Sequence, residues 1–193
     1  MAGRFENLPG GGAAVALDEV EISILRSLAV QLMELIGPGD EPAADADPLA
    51  ALFAEGPSEP PSDPALRRLF PDAYGDESAE LRASAADFRR YTENDLRARK
   101  REDALVVVRA LDSLSGESAG EGGAVLKLSP DDSRAWLGTL NDLRLTIGTR
   151  LEVKDEESEQ LYRLPDSDPR KPMVMAYLWL GALQESLVET LMP

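Results

Sequence analysis

Cysteine and histidine are both absent from the 193 residues. Without cysteine there are no disulfides, thiolate nucleophiles, cysteine-bound zinc sites or iron–sulfur clusters. Without histidine the usual general base near neutral pH is missing, and with it Ser/His/Asp triads and histidine-ligated metals and haem. Aromatics are scarce at 5%, and no stretch approaches the roughly 18 uninterrupted apolar residues of a membrane span. The opening MAGRFENLPGGG lacks the apolar core of a signal peptide, so a cytoplasmic protein with no membrane segment is expected. Positive charge is also in short supply. The 36 acidic residues against 20 basic ones leave a net charge of −16, which repels polyphosphate surfaces and anionic membranes.

What remains fits one domain spanning 1–193, mainly α, bundle-like, with a small antiparallel β element at the N-terminus. Short extended stretches around Arg4–Glu6 and Ala14–Leu17 flank Gly10, Gly11 and Gly12, the pattern of a hairpin with a permissive turn. Asp18 with Glu21 three residues on is a capping box opening a helix to about Ile36, where Gly37 and Pro38 stop it. From 37 to 63 the composition shifts to acidic side chains and repeated prolines with no basic residue, an excursion from the packed body. Inside it, DPLAALF at 47–53 sets Leu49, Leu52 and Phe53 on one side of a short helix, a candidate protein contact.

The longest helix is predicted from about Glu77 to Leu114, with Leu81, Ala85, Phe88, Leu96, Val106, Ala110 and Leu114 as its core stripe. Ala124–Leu128 alternates as a strand that could join the hairpin. Ser129 and Pro130, followed by Asp131 and Asp132, mark a helix start, and Trp136, Leu140, Leu143, Ile147 and Leu151 repeat along its buried side. A last helix begins near Pro172 and aligns Ala176, Trp179, Leu180, Leu183, Leu187 and Leu191. Met175 and Leu178 lie off that side and are further protein-contact candidates, facing a second subunit in a homodimer or the long acidic linker.

Several polar residues fall on apolar arcs. Arg144 and Gln184 project among leucines and need partners there, and Asp95, Arg99 and Asp103 share the core azimuth of the long helix at i, i+4 spacing. These five read as a structural polar network fixing helix register. Arg89, Arg90, Arg97, Lys100 and Arg101 occupy one arc about 120° wide on the same helix, the concentrated positive feature of an acidic chain. Glu93, Glu102 and Asp103 interrupt it, no aromatic interleaves for base stacking, and no helix-turn-helix spacing is present, so nucleic acid is a disfavoured partner. Asp166, Ser167 and Asp168 open like a calcium loop, but Pro169 breaks the pattern. No P-loop, dinucleotide fingerprint or nucleophile elbow occurs. The sequence thus offers no catalytic residue, no metal site and no cofactor site.

Taken in order, LDEVEISILRSLAVQLMEL at 17–35, DPLAALF at 47–53, LRRLFPDAY at 66–74, FRRYTENDLRARK at 88–100, WLGTLNDLRLTIGTRL at 136–151 and YLWLGALQESLVETL at 177–191 resemble an actinobacterial family of uncharacterised proteins. Its genes often lie beside that of the ClpS adaptor of the Clp protease. The resemblance implies a non-enzymatic protein-binding or adaptor-like module linked to Clp-type regulated proteolysis. The alternative is a transcriptional regulator contacting nucleic acid through the basic arc.

Overall fold

The computed structural model describes residues 3–37, 56–115, 123–153 and 163–192. DPLAALF with Leu49, Leu52 and Phe53, and most of the 37–63 excursion, lie outside the described residues. Three glycines with φ of 95°, 96° and 87°, Gly10 to Gly12, make the turn that alanine would strain. They join β1 (Glu6–Asn7) to β2 (Ala13–Leu17), with Glu6 opposite Ala14 and Asn7 opposite Ala13. β3 (Ala124–Leu128) adds antiparallel to the other side of β2, Ala13 facing Leu128 and Leu17 facing Ala124. Alternation then does the sorting. Ala13, Val15, Leu17, Ala124, Leu126 and Leu128 turn inward, so one face of the sheet is apolar and covered.

Five helices are found among the described residues. α1 (Glu19–Ile36) opens on the expected capping box: the Glu21 amide donates to Asp18 at 2.8 Å, and the Asp18 amide to the Glu21 carboxylate at 3.0 Å. Its buried side is Ile22, Leu25, Ala29, Leu32 and Ile36, while Ile24 is exposed. α2 (Pro64–Leu69) is capped by Asp63, which accepts from the Ala65 and Leu66 amides. The Arg150 guanidinium 2.6 Å from Asp63 holds that carboxyl below its ordinary range.

α3 (Ala79–Ser115) spans 37 residues, about 55 Å at 1.5 Å per residue. α4 (Pro130–Arg150) starts at Ser129, whose hydroxyl accepts from the Asp132 amide at 3.1 Å, and buries Trp136, Leu140, Leu143 and Ile147. α5 (Lys171–Leu191) buries Val174, Leu180, Leu183 and Leu187. The packing order is α1 on α3, α3 on α4, and α4 on α5, with α2 resting on α4. A single hydrophobic cluster runs from the sheet through all four long helices. Phe5 meets Trp136 edge-on with ring centroids 6.0 Å apart, and the Phe5 amide donates to the Ser186 hydroxyl, so the hairpin is tied to α4 and α5 at once. No described helix is long and apolar enough to cross a membrane.

The core stripe of α3 differs from expectation. Leu81, Phe88 and Leu96 are exposed, while Ala104, Val107, Val108, Leu111 and Leu114 are buried in its C-terminal half. In its N-terminal half the inward positions are held by Ala85, Arg89, Glu93 and Arg97. An apolar count cannot find that face, because ionic side chains occupy it.

Candidate functional site: the ionic face of the long helix

Arg89, Glu93 and Arg97 stand four residues apart, so they stack on one side of α3. All three are at most 9% exposed. Glu93 is the hinge of the arrangement: one carboxylate oxygen accepts from Arg89 Nη1, and the other accepts from Arg97 Nε at 2.9 Å and Nη2 at 2.6 Å. The remaining donors reach other elements. Arg89 Nη2 donates to the Phe70 carbonyl and to Asp72, each at 2.9 Å, and Arg97 Nη1 donates to the Ile36 carbonyl at the end of α1. The Arg97 guanidinium also lies over the Phe70 ring, 4.4 Å from its centroid. Two cations meet Glu93 and Asp72, so the cluster is neutral, and it fastens the ends of α1 and α2 to α3.

The other arc members are placed differently. Lys100 donates to both Asp142 oxygens, at 2.7 and 2.9 Å, linking α3 to α4. Burial pushes the Asp142 carboxyl up, and the Lys100 ammonium opposes that. Arg90 bonds Asp87 at 2.9 Å and lies 5.0 Å from the centroid of the Tyr91 ring. Arg101 is half-buried, and its Nε is enclosed without an acceptor. The arc is therefore largely neutralised within the fold. Of the partners, Glu93 has a signal in the sequence, its spacing of four residues from each arginine, whereas Asp72 and Asp142 lie 17 and 42 positions from the cations they meet and have none.

The expected polar network divides. Arg144 Nη1 donates to Gln184 Oε1, and Gln184 Nε2 lies 3.4 Å from Asn141 Oδ1, so α4 and α5 are bridged by those two residues. Asp95 and Arg99 are corrected: both are exposed, because the inward azimuth of α3 at that level belongs to Glu93 and Arg97. Asp103 is half-buried, with its carboxyl pushed up by burial against the lowering influence of Arg99. Met175 is 53% exposed, and Leu178 is half-buried beside Arg144. Among the described residues no three carboxylates converge as a metal site.

Sequence comparison places this ion-clamped helical assembly in a class. The chain belongs to the DUF2017 family, a domain of unknown function whose model matches residues 2–191. It is 30% identical over 192 residues to the oxidative stress regulator AosR of Mycobacterium tuberculosis (strain ATCC 25618 / H37Rv) and to that of Mycobacterium bovis, covering 98% of this chain and 86% of each relative. The putative oxidative stress regulator AosR of Mycobacterium leprae is 30% identical over 175 residues, 89% of this chain and 79% of the relative. No solved structure matches. The actinobacterial family expected from the sequence blocks is thus the family found. The expectation of an adaptor-like module tied to Clp-type proteolysis is corrected, since these relatives are named as stress regulators.

Proposed function

We propose that this protein is a cytoplasmic regulator in the oxidative-stress response. The observation that carries the reading is the 30% identity to AosR along 98% of the chain, too continuous to reflect one shared motif. A chain without cysteine does not register peroxide through a thiol, so a disulfide switch is no part of its working. Phosphate contact through the α3 arc is disfavoured, because Arg89 and Arg97 are held by Glu93, and Lys100 by Asp142. A regulator with a net charge of −16 suits a basic protein surface better than a polyphosphate.

Deleting the gene in its host and following transcripts after a peroxide pulse tests the regulatory role. A defined set of peroxide-induced transcripts should lose its induction and recover it on complementation. Identical peroxide responses in the parent and deletion strains would refute the reading.

A further inference from the structure

Arg144 sits at the junction of two surface depressions between α4 and α5, of about 730 and 760 Å³. Both volumes lie in the range of small-molecule sites. The guanidinium has neutral company. It donates to the Gln184 amide oxygen and lies over the Tyr177 ring, whose centroid is 5.4 Å away. Its Nε is enclosed with no acceptor, and no carboxylate among the described residues pairs with it. A half-buried guanidinium with no counter-charge among the described residues is in an unfavourable state that a bound anion relieves. Gly148 lets the Tyr177 ring approach, since a Cβ there would press it at 3.2 Å.

The charge around the first depression decides what kind of anion fits. Glu185 and Glu189 line it, and Glu189 is paired with Arg4, so a phosphate dianion would meet repulsion that a single carboxylate meets less strongly. The lining also holds Gln184 and the apolar Leu178, Ala182 and Val188 of α5, with Met192 just beyond the helix. We infer that the first depression is a ligand site for a small monocarboxylate with an apolar body, the carboxylate on Arg144 and the apolar part on Leu178, Val188 and Met192. Such a site stands on its geometry, whether or not the protein regulates transcripts.

Isothermal titration of the full chain with sodium hexanoate tests it, with 1-hexanol as the uncharged analogue and inorganic phosphate as the compact anion, at matched ionic strength. Hexanoate should bind saturably, and both Arg144→Gln and Ala182→Trp should weaken it roughly tenfold or more. Ala182 is exposed and lines the depression, so its substitution fills the space while keeping both Arg144 and Gln184, and it decides the matter if Arg144→Gln does not fold. Hexanol should not bind. Absence of saturable hexanoate binding, undiminished binding to folded Arg144→Gln, equal binding of hexanol, or equal binding of phosphate would each overturn the proposal. So would hexanoate binding that appears only after Asp155, Glu156, Glu157 and Glu159 are changed to their amides, because the carboxylate on Arg144 would then be the chain's own.

Discussion

Replacing Glu93 with alanine should lower the folding stability by about 3–5 kcal/mol, the scale on which removal of one partner from a buried ionic cluster is felt. Glu93 is 3% exposed and touches both arginines, so its loss leaves two guanidiniums inside the protein with carbonyl oxygens and Asp72 as their remaining acceptors. In a protein of this size that corresponds to a fall in Tm of roughly 6–20 °C. Glu93→Gln separates charge from volume. It keeps the packing and one acceptor oxygen but removes the negative charge, so it should recover only part of the loss. Urea unfolding followed by far-ultraviolet circular dichroism gives the comparison. A Glu93→Ala midpoint matching that of the parent protein would mean that the cluster is hydrated and not a clamp.

Trp136→Ala should have an effect of similar size for an unrelated reason. The indole is fully buried, and its removal empties a space bordered by Phe5 and the leucines of α4 and α5, for about 3–5 kcal/mol. Its edge-on contact with Phe5 adds a coupling that a double-mutant cycle with Phe5→Ala should find at about 0.5–1.5 kcal/mol. The two residues are 131 positions apart by their numbers, so a measured coupling would place the hairpin on α4 directly. A Trp136→Ala loss below about 1 kcal/mol would show that the inner face of α4 is not sealed.

The parts of the fold legible in the sequence are those whose cause is local. The Asp18–Glu21 box, the Ser129–Pro130 start and the Gly10 to Gly12 turn each depend on neighbours within a few residues, and each is where the sequence puts it. The apolar repeat of α4 also survives, with Trp136, Leu140, Leu143 and Ile147 buried and Leu151 half-buried. The N-terminal half of α3 escapes the same reading. There Leu81, Phe88 and Leu96 suggest an inward stripe, yet all three are exposed, Phe88 meeting the Tyr74 ring edge-on at 6.3 Å, and the buried positions are held by Arg89, Glu93 and Arg97.

Whether an arginine faces inward depends on acceptors that the helix does not contain, here the Ile36 carbonyl, the Phe70 carbonyl and Asp72. Lys100 depends in the same way on Asp142, 42 residues away. Arg144 and Gln184 are legible as residues in need of a polar partner because each stands among leucines, whereas their bond to one another, across 40 positions, is not. Asp95 and Arg99 satisfy the same azimuth on paper, but a rotation of α3 by less than a quarter-turn sends them to solvent. Periodicity fixes the spacing of a helix face more surely than its absolute orientation.

Arg89, Arg97 and Lys100 of α3 are neutralised within the protein, by Glu93 and Asp142, and act as packing elements. The salt dependence of DNA binding by the purified full chain tests that claim most directly, read by fluorescence anisotropy from about 50 mM salt upward. The ion pairing described here predicts no appreciable binding at the lowest salt, and no change when Arg90 and Lys100 are reversed to glutamate in a variant shown to be folded. Tight binding that falls steeply with salt and disappears in that variant would contradict it.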